Sequence, residues 1–129
     1  MLFRSSGTET VLTTSTPSVC CPVVTADGSK VAYRMVENGK RAIYVVAANG
    51  GPRERVCEDC GFPTHWSSDG AKLLYAHGRL SRLGLLNLSS GGRSELLQHS
   101  VHSVYGGSLS PDDQWIRSEE RRVGKECRL

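Results

Sequence analysis

The sequence predicts an all-β chain assembled from repeated four-stranded units. Three observations lead there. Asp27-Gly28-Ser29-Lys30-Val31-Ala32-Tyr33 recurs 42 residues later as Asp69-Gly70-Ala71-Lys72-Leu73-Leu74-Tyr75, and a third copy opens 43 residues further on at Asp112-Asp113-Gln114-Trp115-Ile116. Short apolar runs in each copy are punctuated by turn residues such as Asn38-Gly39 and Asn49-Gly50-Gly51. No 3.6-residue apolar period of useful length appears before residue 117. Four strands per roughly 40–45 residues is the signature of a β-propeller blade. The expected architecture is therefore a partial β-propeller, with about two complete blades and partial units at both ends.

The elements follow in order. Gly7-Thr8-Glu9-Thr10-Val11-Leu12 resembles Gly92-Arg93-Ser94-Glu95-Leu96-Leu97, so the chain opens on the outer strand of a unit. The first full unit, about 22–60, predicts strands over 23–25, 30–35, 42–47 and 54–57. Asp27-Gly28 makes its first turn and Asn38-Gly39 its central hairpin. The second unit, about 63–106, predicts strands over 64–67, 72–76, 82–88 and 94–97. Its third strand follows from matching Leu85-Leu86-Asn87-Leu88 to Ile43-Tyr44-Val45-Val46. The triplets before each Asp also match: Val24-Thr25-Ala26, Trp66-Ser67-Ser68 and Leu109-Ser110-Pro111.

The Ser-x-Asp-Gly-x-Lys-apolar-x-Tyr pattern, the Ile43-Tyr44-Val45-Val46 strand and the Asn49-Gly50-Gly51 turn resemble the TolB-like, WD-repeat-like propeller repeat over about residues 2–116. Thr25-Ala26 stands where that repeat usually has Ser-Pro, and Asp113 where it has Gly. Residues 56–61 and 110–116 look most like propellers fused to bacterial sensor proteins, either serine/threonine kinases or winged-helix regulators. The resemblance implies recognition of a protein or peptide, or alternatively of a small ligand. It also admits a propeller that gates a prolyl-oligopeptidase-type serine peptidase. Relatives of this kind are mostly extracytoplasmic, which points to the periplasm.

Residues 117–127, Arg-Ser-Glu-Glu-Arg-Arg-Val-Gly-Lys-Glu-Cys, resemble the translation of a common sequencing-library adapter over eleven consecutive residues. Residues 117–129 are accordingly expected to be a non-native tail, with the propeller unit at 1–116. The rival reading is a basic amphipathic helix for an acidic partner. The chain has 16 Lys and Arg against 13 Asp and Glu, a net charge of +3. Without the tail the counts become 11 and 10, a net charge of +1, and five cysteines become four. Neither balance argues for a nucleic-acid surface, and basic residues are not interleaved with aromatics. A unit of fewer than three blades would leave apolar blade faces and strand edges in water, so poor solubility is expected of it alone.

Chemistry-bearing residues are few. Cys57-Glu58-Asp59-Cys60 is a C-x-x-C, and Cys20-Cys21 falls in the corresponding inter-blade loop, so these four thiols are the candidates for a disulfide or a metal site. Bridges between the two pairs and an inert structural role are both compatible with the spacing. His99 and His102 lack a third ligand and read as loop histidines. Asp27, Asp69 and Asp112 recur as turn formers, which argues against catalysis. Asn87-Leu88-Ser89 matches a glycosylation sequon by accident of pattern. Gly106-Gly107-Ser108-Leu109-Ser110 lacks the final Gly of a nucleophile elbow, and no phosphate loop or dinucleotide fingerprint is present. No catalytic residue, cofactor, metal ligand or membrane segment is therefore expected.

Overall fold

A computed structural model describes the backbone of residues 2–5, 8–11, 19–77, 82–98, 104–120 and 124–128, with side chains for 19–77, 82–98 and 107–117. Every element among the described residues is a β-strand. Strands β1 (Leu2–Ser5) and β2 (Thr8–Val11) pair as a hairpin. The next sheet is β3 (Val19–Val24), β4 (Lys30–Glu37), β5 (Lys40–Ala47) and β6 (Glu54–Glu58), in that spatial order. It is followed by β7 (Phe62–Trp66), β8 (Lys72–His77), β9 (Arg82–Asn87) and β10 (Arg93–Gln98). The last sheet holds β11 (Val104–Leu109), β12 (Trp115–Glu120) and β13 (Gly124–Arg128). All neighbours are antiparallel and consecutive in sequence, as in propeller blades.

All eight strands expected in the two full units are present, and the chief boundary difference is β3, which begins at Val19. Before it stands a two-stranded hairpin where the sequence indicates one outer strand. Of the adapter-like residues, 117–120 continue β12 and 124–127 lie in β13, with Ile116 opposite Cys127 and Arg117 opposite Glu126. The helical reading of that segment finds no counterpart in the described backbone.

The Asn38-Gly39 turn closes β4 onto β5 with Glu37 opposite Lys40. Both turn residues have positive φ, 53° and 77°, the two-residue hairpin geometry that matches strand twist. The second blade differs here. Lys30 faces Ala47 in the first blade and Lys72 faces Asn87 in the second, so the strand pair is two residues shorter in span. Leu83 therefore stands where Ile43 does, and Gly84 where Tyr44 does, a shift of two from the match made on sequence. A shift of two leaves every side chain on the same sheet face, so the core pattern survives it.

The blades pack face against face. Ala32, Ile43 and Cys57 of the first blade meet Trp66, Leu73, Tyr75 and Leu86 of the second, with Cys60 between them. The opposite face of the second blade, with Leu74, Ala76 and Leu83, meets Leu109 and Ile116 of the third. On the other face of the first blade Val31, Tyr33, Met35, Ala42, Tyr44 and Val46 form a separate buried cluster. The alternation of buried side chains along β4, β5, β8 and β9 feeds both faces of each sheet, so these strands carry little polar character at their centres. Strands β3, β7 and β11 lie side by side as the innermost strands.

Candidate functional site

Each innermost strand runs into the same turn. The hydroxyls of Thr25 and Ser67 donate to Asp27 and Asp69 at 2.7 Å, and that of Ser110 donates to Asp112. Each hydroxyl also accepts a backbone N–H from five residues on: Lys30 at 3.1 Å, Lys72 at 2.9 Å and Trp115 at 3.0 Å. The carboxylates then accept the N–H two residues on, from Ser29 and Ala71 at 2.9 Å and Gln114 at 3.1 Å. Two backbone bonds complete each loop: the N–H of Thr25, Ser67 and Ser110 donates to the carbonyl of Lys30, Lys72 and Trp115, and the N–H of Gly28, Gly70 and Asp113 donates back to the carbonyl of Thr25, Ser67 and Ser110. The Asp side chain thus replaces backbone partners that the tight turn cannot supply.

Those hydrogen bonds set the acidity of the turn. Donation from the Ser29 and Thr25 hydroxyls and the Ser29 N–H lowers Asp27 to about 2. The Ser67 hydroxyl and the Ala71 N–H likewise hold Asp69 below the usual carboxylate range. A recurring turn, engaged with itself at each copy, gives the three Asp residues a structural task.

The turns sit in a row. A recess of about 100 Å³ lies between the first two, lined by Thr25, Asp27, Ser29, Lys30, Ser68, Asp69 and Gly70. Between the second and third, Asp113 accepts the Ser68 N–H at 3.0 and 3.1 Å and the Ser68 hydroxyl. A cleft of about 330 Å³ opens beside this latch, with His65, Trp66, Leu109 and Pro111 among its walls. Below the turns the innermost strands are tied directly. Trp66 donates its Nε1–H to the Val23 carbonyl at 3.0 Å, and His65 Nδ1 accepts the Leu109 N–H at 3.2 Å.

The four candidate cysteines pair locally, Cys57 with Cys60 and Cys20 with Cys21. The alternative of bridges between the two pairs is not what the structure draws. Cys57 ends in the inter-blade core, and the chain then turns sharply through Asp59 and Gly61, both at positive φ, which returns Cys60 to the same core. Among the described residues no group of three or more His, Cys, Asp and Glu is arranged to hold a metal ion. His99 and His102 lie outside the described residues. Asn87 of the sequon is a turn former, its side-chain oxygen accepting from Ser89 at 3.1 and 2.8 Å. His77 packs against Tyr75, and burial holds it below the ordinary imidazole range.

Sequence reasoning passed over His65 and the Asp113–Ser68 latch. The repeat held a signal for His65: the position equivalent to Val23 in the preceding blade is an imidazole. Nothing local could disclose the latch, because its partners are 45 residues apart. No helix among the described residues is long and apolar enough to cross a membrane.

No protein-family model matches the sequence, and no curated protein matches it. Solved structures do. A protein assigned as TolB from Agrobacterium tumefaciens superposes with a TM-score of 0.71 at 26% identity, over 81% of this chain and 40% of that one. TolB from Acinetobacter baumannii gives a TM-score of 0.64 at 21% identity, over 86% and 32%. The β-propeller domain of the Trilobed protease from Pyrococcus furiosus gives 0.59 at 18% identity, over 78% and 33%. The chain spans two fifths or less of each of these proteins. The likeness establishes the architecture: the described residues form part of a β-propeller, similar to that of TolB proteins.

Proposed function

We propose that the chain is a non-catalytic recognition scaffold whose binding surface is the row of rim turns and the cleft beside the Ser68–Asp113 latch. The observation that carries this reading is the threefold repetition of the turn along one edge. Repetition presents a rigid, hydrogen-bonded surface of backbone, hydroxyl and carboxylate groups, while each carboxylate remains committed to its own turn. The partner best suited to it is a protein or peptide segment that carries donors and at least one cation. A role as the sensing part of a larger bacterial protein, such as a kinase or a transcription regulator, fits the same surface, and a periplasmic setting would suit it. The resemblance to a protease's propeller domain favours a second reading, in which the scaffold gates a peptidase domain elsewhere in the parent protein.

The test is partner capture with the full chain and two charge-changing variants. Ser68→Arg on the rim should abolish capture while circular dichroism stays unchanged. Lys40→Glu, near the β4–β5 hairpin at the outer side, should leave capture intact. Capture that survives the rim change and is lost with the outer one would overturn the assignment.

A further inference from the structure

The two inter-blade joints use the same place in the repeat with opposite chemistry. Val23 and His65 are equivalent, as are Trp66 and Leu109, so the Val23–Trp66 and His65–Leu109 contacts occupy one position in successive joints. In the first, an indole N–H donates to a backbone carbonyl and carries no titrating group. In the second, the imidazole nitrogen is the acceptor. We infer that the joint between the second and third blades is a proton-sensitive hinge, closed by neutral His65 and loosened when His65 Nδ1 takes up a proton, whereas the joint between the first and second blades is indifferent to pH.

The bond as drawn requires a bare Nδ1 and a proton on Nε2. Protonation of Nδ1 replaces the acceptor with a second N–H pointed at the Leu109 N–H, so the attraction becomes a repulsion and Leu109 loses its partner. His65 is only half-buried, and it lines the open cleft, so water can deliver the proton. The charges around it are these. Asp113 lines the same cleft from the third blade. On β8, Lys72 shares the sheet face of Leu74, the register partner of His65. The innermost strands β3 and β11 carry no charged residue, though β3 has Cys20 and Cys21 and β11 has Tyr105. Lys30, Arg34 and Glu37 of β4 and Lys40 and Arg41 of β5 belong to the first blade, which packs on the opposite face of the sheet through Trp66. Among the described residues the Ser68–Asp113 latch is the other side-chain bridge across this joint.

Amide exchange followed by NMR on the full chain tests this. After correction for intrinsic rates, protection of the Leu109 amide should fall about tenfold or more between pH 7.5 and pH 5, while the Trp66 indole stays protected. His65→Gln, whose amide oxygen accepts without titrating, should remove that pH dependence. Independently of any variant, nitrogen shifts of the wild-type ring should show the Nε2–H tautomer at neutral pH. A Leu109 amide equally protected at both pH values, an unchanged profile in His65→Gln, or the Nδ1–H tautomer at neutral pH would each overturn the inference.

Discussion

Asp113 stands where the preceding copies of the turn have Gly28 and Gly70, a departure that on sequence alone weakens the turn. The structure shows what it gains. The residue adopts a φ of 58°, which an Asp tolerates at modest cost, and its carboxylate reaches across to Ser68 of the neighbouring blade. Because the pair is exposed, solvent screening keeps it weak. A double-mutant cycle of Ser68→Ala and Asp113→Ala should return a coupling energy of about 0.5–1 kcal/mol by denaturant unfolding. A coupling indistinguishable from zero would remove the Ser68 hydroxyl from the latch, since the cycle leaves the Ser68 N–H bonds to Asp113 available. Asp27 makes a second prediction at this scale. Its pKa falls from 3.8 to about 2 on folding, so it stabilises the first turn above about pH 4, and that contribution is lost as the pH drops through about 2. Site-resolved carboxyl titration should find that low midpoint, and Ser29→Ala should raise it towards the ordinary carboxylate range.

Strands and turns were largely readable from the sequence, because the information is local. The Asn38-Gly39 pair dictates a tight hairpin, and the short apolar runs Val31-Ala32-Tyr33 and Leu73-Leu74-Tyr75-Ala76 mark strands that are buried on both faces. The β9 register was not readable. Ile43-Tyr44 and Leu85-Leu86 are both acceptable apolar pairs, so composition alone cannot separate an offset of 42 from one of 40. Packing decides it: the Tyr75 ring lies over Gly84, where a Cβ would come within 2.4 Å of the ring. Gly61 is the more stringent case. Its φ is +84°, and a Cβ there would lie 1.9 Å from the Ala76 carbonyl oxygen on β8. Both partners are backbone, so neither can yield cheaply, and Gly61→Ala should destabilise the chain by about 3 kcal/mol or more in chemical denaturation. A loss below about 1 kcal/mol would show that the inter-blade connection takes another path.

Across the whole molecule, what the sequence could not reveal is how the blades are tied to one another. A repeat announces its blades through local patterning, but the joints depend on residues some 43–45 apart whose pairing only the fold brings about. The cysteines illustrate this. Spacing suggested bridges between the two Cys pairs or an inert role, and the folded chain instead joins Cys57 to Cys60 inside the inter-blade core. Mass spectrometry after alkylation without reductant should find Cys57 and Cys60 blocked together in one peptide, and a peptide linking either to Cys20 or Cys21 would contradict the structure. We read residues 117–127 as the translation of an adapter, and re-reading the locus checks it: genomic codons should diverge after Ile116. A read that continues unchanged through these residues would refute that origin.

The central claim is that consecutive four-stranded sheets stack face to face as blades, tied at their innermost strands. Trp66 reports on it directly, since it is 3% exposed and its indole proton meets the Val23 carbonyl of the neighbouring sheet. An NMR experiment that detects through-space contacts of the Trp66 indole proton is the decisive one. Stacked blades predict a slowly exchanging indole proton with contacts to β3 residues around Val23. A rapidly exchanging proton that sees only its own sheet would contradict the account.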